Sequence, residues 1–244
     1  MKFDIVSMKA LWRQAFGDPD GFIEGFFRTG FSPERCRCLY EGDALAAALY
    51  WFDFSCRGKK LAYLYAVATD TVYRGQGLCH RLMEDTHARL NAAGYAGAVL
   101  VPGSDSLFRF YEKMGYRPFG GIREFTAPAK TPAVPLRRVD AGEYAALRRQ
   151  SLPQGGVAQE GPTLAFLQTQ AEFYAGEDAL FAAVREDDHV FVPELLGNTA
   201  LAGNVLTALG AATGTFRVPG EAPFAMYLPF TAAEAPSYFG FALD

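Results

Sequence analysis

The stretch AVATDTVYRGQGLCHRLMEDT, residues Ala66–Thr86, decides how this chain folds. An apolar, strand-like run passes through a short polar link into Arg74-Gly75-Gln76-Gly77. A helical pattern follows, with Leu78, Leu82, Met83 and Leu90 sharing one face. A helix start leaves about four backbone N–H groups without internal acceptors. The macrodipole adds roughly half a positive charge there. Glycines let the backbone approach an anion closely and adopt positive φ, and Arg74 supplies a permanent charge. Together they make a cradle for a diphosphate. A tight strand-to-helix turn that binds nothing is the competing reading. The run is neither a P-loop, since no Gly-Lys-Ser/Thr follows, nor a Gly-x-Gly-x-x-Gly dinucleotide fingerprint.

On either side of this stretch the pattern is that of a mixed α/β unit. SMKALWRQAFG puts Met8, Leu11, Trp12 and Phe16 on one helical stripe, and DPDGFIEGFFRTG turns Phe22, Ile23, Phe26 and Phe27 inward. Three strand-like runs follow, RCRCLYEGD, ALAAALYWFDF and KKLAYLYAVAT, the first two joined by a Glu41-Gly42-Asp43 turn. Beyond the Gly75–Gly77 helix come a buried strand, AGAVLVPG, a helix capped by Ser104, and YRPFGGIREFTA, which reads as a strand pair or hairpin.

Three prolines in TAPAKTPAVPL, residues 126–136, disfavour both a continuing helix and a central strand. They divide the chain into expected domains at 1–128 and 133–244. The second part repeats the outline faintly: PLRRV as a strand, a helix after Asp140, and a helix over TLAFLQTQAEFY. Strands ALFAAVRED and HVFVPELLG, a helix ALAGNVLTALGA, and strands GTFRV, FAMYLPF and YFGFALD complete it.

The chain has 244 residues, half of them hydrophobic and a fifth charged, with a formal charge of −4. That balance argues against nucleic acid, which calls for a basic face. No apolar run approaches the roughly 20 residues of a membrane span. The N-terminus, interrupted by Asp4, lacks a signal-peptide core, so a cytoplasmic protein is expected. The four cysteines are Cys36, Cys38, Cys56 and Cys79. On a strand, Cys36 and Cys38 share a face, as a redox or metal pair would. No further Cys or His spacing completes a metal site, so reduced structural thiols and no metal are expected.

AVATDTVYRGQGLCHRLM, followed by the strand AVLV and then SLFRFYEKMGY, resembles the GNAT superfamily of acyl-CoA-dependent N-acetyltransferases. The resemblance covers roughly residues 1–126. Arg74 and Gly77 match the family's Gln/Arg-x-x-Gly-x-Gly/Ala pattern. Cys79 replaces its last small residue, Ser104 a frequent Asn, and Thr71 a usual proline.

The resemblance implies a central mixed sheet flanked by helices, with a second, smaller GNAT-like domain. It implies acetyl-CoA as acyl donor, with Val67, Ala68 and Thr69 lending backbone groups to pantetheine and Val67 donating to the thioester oxygen. The amides of Gly75, Gln76, Gly77, Leu78 and Cys79 would hold the pyrophosphate beside Arg74. Ser104 would offer a hydroxyl. Tyr111 falls where the family returns a proton to the leaving thiolate, and aromatic packing on its helix is the competing reading.

The acceptor would be the primary amine of a small molecule or peptide. No general base is assigned. Tyr65 and Asp70 lie near the expected centre, where structural roles or a water chain compete. His80, His87 and His189 read as surface or rim residues. The second half resembles a degenerate tandem GNAT domain that supports the first and helps wall its acceptor cleft. The Asp244 carboxylate is within conceivable reach of the site. A non-catalytic acyl-CoA-binding module is the alternative reading of the whole.

Overall fold

The computed structural model describes residues 4–242, so the Asp244 carboxylate lies outside the described residues. Two helices come first, α1 (Ile5–Phe16) and α2 (Asp20–Thr29), followed by strands β1 (Cys36–Glu41), β2 (Ala44–Cys56) and β3 (Lys59–Thr69). Then come α3 (Leu78–Ala92), β4 (Gly97–Leu100), α4 (Asp105–Glu112), β5 (Arg117–Phe119) and β6 (Ile122–Pro128). The remainder is β7 (Arg137–Val139), α5 (Ala141–Ser151), α6 (Pro162–Leu167), β8 (Glu172–Ala175), β9 (Ala179–Glu186), β10 (His189–Gly197), α7 (Ala202–Leu209), β11 (Thr213–Pro219) and β12 (Ala225–Pro229). No described helix is long and apolar enough to cross a membrane.

These elements form two six-stranded mixed sheets, ordered β1-β2-β3-β4-β12-β5 and β6-β11-β10-β9-β8-β7. In each, a single recorded strand pair is parallel, β3 with β4 and β10 with β11. The two sheets exchange strands. β12, from late in the chain, lies antiparallel between β4 and β5, while β6 leaves the first half to pair with β11.

YRPFGGIREFTA is therefore not a hairpin. Its two strands, β5 and β6, join different sheets across Gly120-Gly121. There the chain passes so close to its counterpart that a Cβ on Gly121 would sit 2.1 Å from the Gly220 carbonyl oxygen. Two further expectations fail in the second half. TLAFLQTQAEFY is helical only to Leu167, and Glu172–Ala175 forms β8 because Phe173 and Tyr174 bury against β9. The described part of the tail YFGFALD, residues 238–242, is not a strand. Tyr238, Phe239 and Phe241 fill apolar gaps instead, and Gln159 Nε2 donates to the Phe241 carbonyl at 2.9 Å.

The core facing α1 and α2 is aromatic. Trp12, Phe26, Tyr50, Phe52 and Tyr65 pack with ring centroids 4.7–5.9 Å apart in the recorded pairs. Phe166 of α6 reaches into the same cluster, 5.1 Å from Phe22 and 5.9 Å from Tyr65, so the second half contributes to the core of the first. Phe16, expected on the buried stripe, is 47% exposed at the mouth of a cavity.

Candidate active site

The parallel pairing of β3 with β4 is recorded only at Leu61–Tyr63 opposite Gly97–Val99. From Leu64 onward the two strands have no recorded pairing, and a cavity of about 350 Å3 opens between them. Tyr63, Leu64, Tyr65, Ala66 and Val67 line it from β3, Leu100 from the end of β4 and Val101 just beyond it, Leu107 and Tyr111 from α4, and Trp12, Phe16 and Phe22 from the N-terminal helices.

A β-bulge shapes its centre. Tyr65 pairs with Tyr50 and Ala68 with Ala48, so Ala66 and Val67 together oppose Leu49. Ala66 takes φ +47°, a strained value for an alanine. Such a bulge re-aims backbone groups locally, here into the cavity. The second sheet repeats the device: Phe191 pairs with Val184 and Glu194 with Ala182, so Val192 and Pro193 oppose Ala183. The counterpart of Val67 is then Pro193, whose nitrogen has no hydrogen to donate.

At the end of β3, Asp70 caps a short 3-10 turn, its carboxylate accepting from the Val72 amide at 2.9 Å. Arg74 Nε donates to the Thr69 carbonyl at 3.2 Å, which fastens the turn to the strand. Gly75 and Gly77 take φ +77° and +76°, and a Cβ on either would meet open space. Among the described residues, the amides of Gly75, Gln76, Gly77, Leu78 and Cys79 have no recorded acceptor, and α3 has no side-chain cap. Its helical ladder begins with the Arg81 amide donating to the Gly77 carbonyl at 3.0 Å. Unpaired amides converging at a helix start, with room in front of them, fit an anion better than a closed turn.

The expected site residues divide as follows. Val67 and Tyr111 line the cavity, while Ala68 is buried beneath it at 5% exposure. The Thr69 hydroxyl is buried without a partner. Arg74, Gly75, Gln76 and Gly77 are exposed at the α3 start, Leu78 is buried in the core, and Cys79 is half-buried. Ser104 is the N-cap of α4, accepting from the Leu107 amide at 3.4 Å, and it does not line the cavity.

Tyr111 packs edge-on against Phe110 and Tyr116 at 5.2 and 5.7 Å, so the packing reading holds for its ring. Its hydroxyl has no recorded partner. Burial and then the neighbouring Cys79 thiol push its pKa above that of ordinary tyrosine, which keeps the phenol protonated as a proton donor. Asp70 is occupied as a turn cap. Tyr65 lines the cavity within the aromatic cluster.

Sequence reading missed one cavity-lining carboxylate. Asp18 lines the cavity and accepts from Trp12 Nε1 at 2.7 Å. Its only signal was its place directly after the Gly17 helix stop.

One histidine corrects the rim expectation, while His189 stays half-buried at the surface. His189 bridges the Thr213 and Thr215 hydroxyls at 3.2 and 3.1 Å. His87 sits inward, its Nε2 2.8 Å from the Tyr116 hydroxyl and its ring against Phe230. Burial, then the charge of His80, lowers the His87 pKa to about 4. Between pH 4 and the ordinary 6.5 the unfolded chain therefore binds a proton that the folded chain refuses. Stability rises with pH through that window and is flat above it. Acid titration of the urea midpoint is expected to show a loss of roughly 2–3 kcal/mol, with His87→Gln flattening the slope. An equal slope in that variant assigns the loss to carboxylates instead. Among the described residues no three His, Cys, Asp or Glu side chains gather as metal ligands would.

Residues 2–119 match the family model of the acetyltransferase (GNAT) domain. The first half of the chain is a GNAT acetyltransferase domain. The fold of known GNAT structures extends over nearly the whole chain. A GCN5-related N-acetyltransferase from Anabaena variabilis superposes with a TM-score of 0.73 at 17% identity, covering 93% of this chain and 70% of that one. One from Kribbella flavida gives 0.70 at 19%, covering 91% and 68%. One from Sphaerobacter thermophilus gives 0.54 at 13%, covering 96% and 95%. No curated protein matches the sequence. The chemistry of that domain family is acyl transfer, and the chain is an enzyme of that class.

Proposed function

We propose that the enzyme transfers an acetyl group from acetyl-CoA to the primary amine of a small molecule or peptide, by direct attack in a ternary complex. The observation that carries this reading is the set of unpaired amides from Gly75 to Cys79 at the mouth of the splayed β3 and β4 strands. Those amides and Arg74 would hold the pyrophosphate. The open edge of β3 would pair with pantetheine, and the Val67 amide would donate to the thioester oxygen. Tyr111 would donate its phenolic proton to the departing sulfur. Residues 133–244 support this unit as a GNAT-like domain without a donor site of its own.

A free amine near pKa 10.4 costs about 4–5 kcal/mol to deprotonate at pH 7. Holding amine and thioester in attack geometry supplies roughly 7–11 kcal/mol, so alignment outweighs any single base. The acceptor wall of Trp12, Phe16, Phe22 and Tyr65, with the Asp18 carboxylate, suits an amine on an apolar or aromatic body. Its ammonium form is attracted to ring faces before the proton is lost.

Isothermal titration with acetyl-CoA tests the donor site directly. Saturable binding in the micromolar range is expected, and Gly77→Val, which forces a branched side chain to φ +76°, is expected to weaken it at least about tenfold. Absence of heat from the wild-type protein would overturn the reading. An amine panel monitored by CoA release then identifies the acceptor.

A further inference from the structure

Cys36 and Cys38 lie on β1, opposite Tyr50 and Ala48 of β2, and both side chains join the cluster facing α1 and α2. Their sulfurs are 3.7 Å apart. β1 is the edge of its sheet, paired only with β2. Cys38 is half-buried beside that open edge, whereas Cys36 is 4% exposed. Across from Cys36, the buried Tyr50 hydroxyl has no hydrogen-bond partner, and it lies near enough to both sulfurs for their charge to disfavour its ionisation.

We infer that Cys36 and Cys38 are a peroxide-reactive dithiol, in which Cys38 is oxidised and Cys36 resolves it to an intrastrand disulfide. In the first step the Cys38 thiolate attacks one oxygen of hydrogen peroxide. An S–O bond forms, the O–O bond breaks, and the departing hydroxide takes a proton to leave as water. In the second step the Cys36 sulfur attacks the Cys38 sulfenic sulfur. The S–S bond forms as the S–O bond breaks, and the leaving hydroxyl departs as water with the Cys36 proton. Two thiols lose two electrons and one peroxide becomes two waters.

The asymmetry of the pair suits these roles. The contact between the two sulfurs lowers the Cys38 pKa, while the same contact and burial raise that of Cys36. Arg37, between them, favours the thiolate of both. The other two cysteines serve as internal controls. Burial raises the pKa of both Cys56 and Cys79, and Cys56 donates to the Gly155 carbonyl at 3.2 Å. A thiolate, not a thiol, is the nucleophile. Two residues of a strand rise about 6.7 Å, at the upper end of the Cα separation that a disulfide spans. The resulting bond is strained and readily reduced, so the modification is reversible.

Intact mass spectrometry of the full chain after hydrogen peroxide, followed by peptide mapping, tests this. The wild-type protein is expected to lose two hydrogens, with the bond mapped between Cys36 and Cys38 and removed by dithiothreitol. Cys38 is expected to react at least about tenfold faster than Cys56 or Cys79. Cys36→Ser and Cys36→Ala are each expected to trap a sulfenic acid on Cys38 that dimedone captures, and Cys38→Ser to leave Cys36 unlabelled. The wild-type result does not depend on how the variants fold. A persistent dimedone adduct on wild-type Cys38, earlier oxidation of Cys56 or Cys79, or an unreacted pair would each overturn the inference.

Discussion

Tyr111→Phe is expected to lower the rate of CoA release at saturating substrates by about 100-fold or more, the usual range for a positioned proton donor, while the acetyl-CoA dissociation constant stays within about twofold. The split follows from the geometry. The ring is held by Phe110 and Tyr116 and Phe keeps that packing, so only the phenolic proton is lost. Burial raises the Tyr111 pKa, so any alkaline limb it imposes lies above the ordinary value near 10 and moves or vanishes in the variant. Steady-state kinetics with titration calorimetry on both proteins checks it. Unchanged thiol release would leave Tyr111 as packing alone and favour a non-catalytic acyl-CoA-binding module.

Arg148→Ala is expected to destabilise the chain by about 3–5 kcal/mol, the cost of stranding a buried charge. Arg148 and Glu194 have side-chain exposures of 1% and 0%. Arg148 Nε and Nη2 donate to the Glu194 carboxylate at 2.7 and 2.9 Å, and Nη1 donates to the Val157 carbonyl at 2.8 Å. The Tyr144 and Tyr238 hydroxyls complete the carboxylate's partners at 3.2 and 3.0 Å.

In a chain of this size the loss corresponds to roughly 6–20 °C in melting temperature. Replacing both partners, Arg148→Met with Glu194→Met, is expected to recover part of it, because no lone charge is then buried. Breaking the exposed Arg13–Asp20 pair, with side-chain exposures of 53% and 75%, is expected to cost less than about 1 kcal/mol. Urea unfolding of the four proteins decides the matter. A loss for Arg148→Ala no greater than for Arg13→Ala would remove the network from the list of stabilising features.

Glu194 follows directly on the Val192–Pro193 bulge of the second sheet. The second half therefore sets a bulge with a proline at its second position beside a buried ion pair. The first half pairs its bulge with an open cavity.

Some of this was legible residue by residue. The helix start at Leu78, the turn glycines with positive φ and the Ser104 cap are local, and local rules find them. The aromatic face of Trp12 and Phe26 followed from helical spacing. His87 was misplaced because seven residues of helix periodicity say which face a side chain takes, not what Tyr116 and Phe230 bring against that face. Asp18 escaped notice because a carboxylate after a helix stop looks like any turn residue until the Trp12 indole donates to it.

By itself the sequence determined the strand–turn–helix unit from Ala66 to Ala92, the positive-φ turn at its glycines, and the number and kind of most elements. Only the tertiary structure decided that β6 and β12 change places between the sheets, that β3 and β4 part beyond Tyr63, and that Arg148 and Glu194 pair in the buried interior. The reason is range. Turn and cap preferences act over a few residues, whereas strand exchange, splay and a buried ion pair depend on which distant segments can satisfy each other's hydrogen bonds and fill each other's space.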